Sequence, residues 1–226
     1  MSDPAPPLPR AVVLSLAVLT VVVVGALSLV LFWGDIVTDE DDLADATVAE
    51  PAGDDFERAD ADGLAADGAD WTEPLGTWAI QDGHAALTAG ADGPLAGLAV
   101  LPAEAPSHLE VTATAVEPGW GVAFRVQDAD DLWAVVARPE RGSWSLVHVR
   151  AGAIEETPDF VAVEPTDLSV VQIDLVADLV RVSIDGGEPN EVSDPALAEA
   201  GDVGLLALPG GSLASMAWDD LTVAGG

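Results

Sequence analysis

In residues 120 to 127, WGVAFRVQ, apolar side chains fall on every second position: Trp120, Val122, Phe124 and Val126 point one way, Arg125 and Gln127 the other. A period of two marks a half-buried strand. The alternation returns at 108 to 116, where Leu109, Val111, Ala113 and Ala115 oppose Glu110, Thr112 and Thr114, and at 179 to 184, where Val180, Val182 and Ile184 oppose Arg181 and Ser183. Val171, Ile173 and Leu175 make another such face. Further runs predict strands near 76 to 81, 84 to 88, 97 to 101, 131 to 138, 143 to 150, 160 to 164, 203 to 208 and 214 to 223. Between them, Asp82-Gly83 and Asp185-Gly186 supply the positive-φ residues that tight hairpin turns require. One helix is expected here, with Asp194 as N-cap, Pro195 at its first position and Gly201 just past its end. About a dozen short strands at this spacing predict an all-β sandwich or barrel.

Upstream the pattern is different. Residues 11 to 33 contain no charged side chain and only Ser15, Thr20 and Ser28 as hydroxyl bearers. As a helix the run would be about 35 Å long, enough for a bilayer core of about 30 Å. A single transmembrane helix is therefore expected at 11–33. A signal peptide cleaved near Ala26-Leu27-Ser28 would leave Leu29 to Trp33 as an apolar new terminus, which favours an uncleaved anchor. Arg10 on one flank, against Asp35, Asp39, Glu40, Asp41 and Asp42 on the other, places residues 1–10 in the cytoplasm and the C-terminal domain outside it. Residues 34 to 55 hold nine acidic residues and no basic one, so 34–53 is expected to be an extended, self-repelling linker.

Forty Asp and Glu stand against seven Arg and no Lys, a formal net charge of -33. Such a chain repels phosphate backbones, so a nucleic-acid partner is not expected. The acidity suits either a solvated surface in a salty exterior or a divalent-cation surface. The absence of cysteine excludes disulfides, thiolate metal sites and a cysteine nucleophile.

Several segments, taken in order, carry a resemblance. Asp54-Asp55-Phe56-Glu57-Arg58, Trp71, Gly76 to Gly83, Gly121 to Asp128, Val203-Gly204-Leu205 and Ala217 to Leu221 together are similar to extracytoplasmic bacterial domains of the concanavalin A-like lectin/glucanase superfamily, the laminin-G-like group included. The resemblance covers nearly all of 54–226 and implies a two-sheet antiparallel jelly-roll sandwich of about twelve to fourteen strands, with the first strand, around Phe56, pairing near the last, around Trp218 to Val223. The superfamily holds lectins, adhesion modules and glycoside hydrolases. Its laminarinase-like enzymes carry Glu-x-Asp-x-x-Glu on one strand; this chain has no such run, and no catalytic residue is nominated.

Candidate site residues cluster around the first strand described above. Asp128, Asp130 and Asp131 at a hairpin tip are candidate ligands for calcium, which takes about six to eight oxygens at roughly 2.3 to 2.6 Å; they are also what an ordinary turn contains. The resemblance implies rim calcium sites as a family habit, without matched ligand positions. Arg125 and Trp133 are the candidate ligand-binding pair, since indole faces stack on pyranose rings and guanidinium forks bond hydroxyls and carboxylates. Trp133 would equally serve as core. Asp60, Asp62, Asp67 and Asp70 fail the EF-hand pattern, with Arg58 in its first position and Ala69 in its twelfth. His84, His108 and His148 show no metal-ligand spacing. The expected function is noncatalytic binding at the cell surface, to a glycan or an envelope protein. A structural ectodomain without small ligand and a divergent glycan hydrolase are the alternatives.

Overall fold

A computed structural model of the chain describes residues 52–65, 70–195 and 201–225. The transmembrane and cytoplasmic segments expected at 1–33 lie outside these residues, as do most of the linker and positions 196–200 of the predicted helix. Among the described residues, no helix is long and apolar enough to cross a membrane.

The expected all-β architecture is present. The strands in chain order are β1 (Ala52–Asp54), β2 (Ala61–Asp62), β3 (Thr72–Leu75), β4 (Thr77–Gln81), β5 (His84–Ala89), β6 (Gly97–Leu101), β7 (Pro106–Ala115) and β8 (Trp120–Asp128). They continue with β9 (Asp131–Arg138), β10 (Ser143–Arg150), β11 (Ala153–Val161), β12 (Ser169–Val176), β13 (Leu179–Ile184), β14 (Asn190–Ser193), β15 (Asp202–Ala207) and β16 (Ala217–Gly225). One sheet runs β14-β13-β12-β7-β16-β5-β4-β2, with β1 also on β16; the other runs β11-β10-β9-β8-β15-β6-β3. All strand pairings within the two sheets are antiparallel. The first strand does pair with the last, through Ala52–Val223 and Asp54–Leu221. Phe56, however, lies just beyond that strand with φ 53°. Both predicted Asp-Gly turns form, with φ of 52° and 79° at Asp82-Gly83 and 53° and 67° at Asp185-Gly186.

Two indoles clamp the sheets together. Trp120 of the seven-stranded sheet and Trp218 of the nine-stranded one stack at 5.6 Å and 18°. Each donates its Nε1–H across the interface, Trp120 to the Ala217 carbonyl and Trp218 to the Gly121 carbonyl, both at 2.9 Å. Trp78 packs tilted against Trp218 at 5.1 Å and Trp144 meets Trp120 edge-on at 5.8 Å. Around them close the inward rows, among them Leu109, Val111, Val171, Ile173, Val180 and Val182 against Val122, Phe124, Val135, Leu146, Val203 and Leu205.

The seven-stranded sheet is apolar on its other face too. Leu98, Val100, Ala123, Val126, Leu132, Ala134, Val136, Val147, Val149 and Leu206 form a second buried cluster there. Val126 belongs to this cluster, whereas simple alternation puts it beside Phe124. Arg125 causes the difference: it takes φ 50°, and the ladder to β9 skips from Phe124–Trp133 to Asp128–Asp131. A bulge of this kind shifts the phase of every residue after it.

Two polar joints fix the margins. Near the start, the buried Asp54 carboxylate accepts from Trp71 Nε1 at 2.8 Å, from Arg58 at 2.5 and 3.0 Å and from the Phe56 amide at 2.9 Å. At the β11 edge, Glu156 accepts from Arg138 Nε and Nη2, Arg141 Nη1 and Ser145 Oγ, at 2.7 to 3.1 Å. The Arg138 bonds, helped by Ser145, hold its carboxyl down from 4.5 to about 2, against the opposing effect of burial.

Two outcomes are expected. Trp218→Phe removes one of the two reciprocal bonds and leaves a void, and should cost about 2–4 kcal/mol in urea unfolding of the domain. Glu156→Gln should cost about 1–3 kcal/mol at pH 7. A depressed carboxyl stabilises above its ordinary value and loses that contribution as pH falls through its folded value. The gap between wild type and Glu156→Gln should therefore shrink from pH 4.5 toward about 2, measured as paired unfolding midpoints.

Candidate functional site

The sequence candidates come together at one end of the sandwich. The β8–β9 tip carries Asp128 to Asp131, and the β10–β11 turn lies beside it, with the Gly152 amide donating to the Asp130 carbonyl at 3.0 Å. From the nine-stranded sheet the β12–β13 turn reaches the same end, because Arg125 spans the gap to it. Its guanidinium donates through Nη2 to the Ala177 carbonyl and through Nη1 to the Asp194 carbonyl, the latter at 3.4 Å.

Arg125 is therefore a buried tie between the sheets, 2% exposed. The left-handed bulge turns it inward instead of toward the outer face that alternation predicts. Burial lowers its pKa, while the neighbouring carboxylates Asp178 and Asp194 pull the other way. A guanidinium stays charged regardless. Its charge is thus balanced locally by two acids and two carbonyl dipoles.

Trp133 sits on the inner face, directly opposite Phe124 on one side and His148 on the other. Of the two roles open to it, the structure places it in the core, at 7% exposure. Its ring lies parallel to that of His148, 4.2 Å apart at 6°. Neither Trp133 Nε1 nor His148 Nε2 has a hydrogen-bond partner.

The three tip carboxylates do separate things. Asp128 Oδ1 accepts from the Asp130 amide at 2.7 Å, the local bond that makes Asp common in turns. Asp131 Oδ1 stands 4.0 Å from His148 Nε2. Asp130 faces Gly152, where any Cβ would meet its Oδ1. Among the described residues no group of three or more His, Asp or Glu side chains is placed to hold a metal ion. The donors at this tip thus do not fit a calcium shell of six to eight oxygens.

The other two histidines occupy strands. His108 Nδ1 meets Asp174 at 2.7 Å on the exposed face of the nine-stranded sheet. His84 Nδ1 is 3.2 Å from Asp219 without hydrogen-bond alignment. Burial raises the Asp219 carboxyl above its ordinary value, with its own bond to the Asp220 amide opposing. The sequence did not nominate Ile154 and Val176, two aliphatic side chains exposed at 36% and 54% beside this end. Their signal was faint: each sits next to a turn, where alternation gives no inside or outside.

No family model matches the chain, and no curated protein matches it. Solved structures do. The carbohydrate-binding module CBM66 from Bacillus subtilis superposes with a TM-score of 0.53 at 15% identity, over 68% of this chain and 92% of that one. SCLam, a non-specific endo-β-1,3(4)-glucanase of family GH16, gives 0.53 at 11% identity, over 77% and 90%. A prokaryotic β-1,3-1,4-glucanase derived from a mouse hindgut metagenome gives 0.53 at 13%, over 77% and 98%. At such identities the likeness speaks for architecture alone. With the two antiparallel sheets and the first-to-last strand pairing, it establishes that this domain has the concanavalin A-like jelly-roll fold.

Proposed function

We propose that residues 54–226 are a noncatalytic binding module, held outside the cytoplasm by the 11–33 segment, whose partner is a protein of the cell envelope. The observation that carries this is two exposed aliphatic side chains at turns of this end, Ile154 after the β10–β11 turn and Val176 before the β12–β13 turn, with Asp128, Asp130, Asp131 and Asp178 in or beside the turns there. Apolar side chains rimmed by charge are the ordinary makings of a small protein-binding face. A partner with basic residues around an apolar contact complements it, and the net charge of -33 steers such a partner in.

The carbohydrate-binding module among the structural neighbours favours a second reading, a glycan ligand. Against it stand the tryptophans, since Trp71, Trp78, Trp120, Trp133, Trp144 and Trp218 are all buried, at 0 to 7% exposure. Stacking on a sugar needs an open indole face. Cleavage of glycans draws less support. It uses two carboxyls about 5 to 9.5 Å apart around the scissile bond, and the outer face of the seven-stranded sheet offers Ala123, Ala134, Val136, Val147 and Leu206 across its middle.

The readings separate in one set of measurements. With a photo-crosslinker at position 176 of the full chain in cells, an envelope protein should be captured, and Ile154→Asp with Val176→Asp should weaken the purified pair by about tenfold or more. A glycan-array signal with no protein capture would transfer the function to sugars, and release of reducing ends from β-glucan would make the domain a hydrolase. Reporter fusions at the C-terminus should be active only outside the cytoplasm; cytoplasmic activity would overturn the topology.

A further inference from the structure

We propose that His148 and Asp131 form an acid-closed latch, in which protonation of the imidazole lets Nε2–H donate to the Asp131 carboxylate and ties β10 to the β8–β9 tip. Three observations support it. His148 is 6% exposed, yet its Nε2 has no hydrogen-bond partner. The nearest carboxylate oxygen, Asp131 Oδ1, is 4.0 Å away, one step outside bonding range. The other wall is the Trp133 ring, stacked at 4.2 Å.

A buried ring nitrogen with nothing to bond is an unmet requirement. Adding a proton meets it, because the nitrogen becomes a charged donor beside a carboxylate, and such bonds close to about 2.7–2.9 Å. The charged groups on this side of the sheet are Asp131 on β9, Glu155 directly opposite His148 on β11, Arg150 two residues along β10, and the inward, buried Arg125 on β8 next to Phe124. From β8 the same row receives Phe124, and the inward side chains of β12 and β13 are the apolar Val171, Ile173, Leu175, Val180, Val182 and Ile184. Two acids therefore stand against one exposed and one buried arginine.

A neutral Nε2–H tautomer donates as well, so what protonation adds is the charge assistance, and that increment is present at low pH and is lost as pH rises. Its location gives it a consequence: β9 and β10 already pair through Asp131 and Arg150, so the added bond reinforces the tip beside the β10–β11 turn. The inference stands apart from the identity of any partner, since it concerns only the domain's own residues.

The test is a double-mutant cycle on the full chain in detergent. Wild type, Asp131→Asn, His148→Asn and the double variant are melted at pH 8 and pH 5, the window in which imidazoles titrate. The melting-temperature penalty of Asp131→Asn should roughly double from pH 8 to pH 5, and the increase should vanish in the His148→Asn background. A penalty equal at both pH values overturns the latch, as does an increase that persists without His148. If His148→Asn does not fold, tryptophan emission decides. Imidazolium quenches a stacked indole, so wild type should dim on acidification by more than Trp133→Phe does. Equal dimming of the two overturns the proposal.

Discussion

The two reciprocal bonds between Trp120 and Trp218 set the relation of the sheets on which everything else rests. Sheets that touch only through aliphatic side chains can slide, because dispersion and area burial are non-directional. Here each indole donates to a carbonyl next to the other indole, Ala217 and Gly121 at 2.9 Å. A slide of one residue along either strand would break both bonds at once. The clamp therefore fixes register as well as spacing, and the Trp78 and Trp144 contacts extend it across the core. Gly121 and Gly204 fit the same arrangement. A Cβ on Gly204 would run into the Ala99 carbonyl oxygen, and one on Gly121 would press on the Val135 carbonyl, so close strand approach on β8 and β15 depends on residues without side chains.

From that fixed centre, the bulge at Arg125 decides what the sheet presents at its end. A regular β8 would send Arg125 to the outer face, as a lone cation among Leu132, Ala134 and Val149. The left-handed residue instead carries the guanidinium under the opposite sheet, onto the Ala177 and Asp194 carbonyls. Positive φ in a long side chain costs of order 1–3 kcal/mol. Charge-assisted bonds to two carbonyls, with Asp178 and Asp194 nearby, are of a size to offset that. One local conformation thereby joins the hairpin tips of both sheets and keeps a cation out of the apolar part of the outer face.

Legibility of the sequence followed the same physics. Strands buried on at least one face announced themselves: β9 and β10 begin and end where alternation and turn residues put them, at 131–138 and 143–150. The short edge strands β1, β2, β3 and β14 did not, because two to four residues hold no period to detect. The start of β11 was missed for a related reason. Its first seven residues are exposed, so nothing apolar marks them as strand, and pairing to β10 alone makes them one. In the site, Asp128 reads correctly as a turn residue because the turn is local. Arg125 was misread because its position depends on a bulge that only contacts with the other sheet explain. Trp133 was open between core and ligand, and sequence cannot settle a question that turns on which face a pairing partner occupies.

Scarce as cations are, five of the arginines hold joints of the fold. Arg58 holds Asp54 and the Leu64 carbonyl, Arg138 and Arg141 converge on Glu156, Arg181 holds Glu191, and Arg125 joins the sheets. Each sits where a segment turns, a sheet ends or two sheets meet. Against forty carboxylates, a cation placed at random would be a weak, screened surface pair worth little. Arg58, Arg138 and Arg125 bind backbone carbonyls or a carboxylate with several donors where the surroundings screen them less, whereas Arg141 and Arg181 make more exposed contacts. Some of the other carboxylates hold turns by accepting from backbone amides, as Asp60 does from Asp82, Asp167 from Val116 and Asp185 from Val170; those without such a bond are tied to no position. Surface charge in this chain can accordingly rise without disturbing the fold, which is how an all-β domain carries a charge of -33 and still closes around an apolar core.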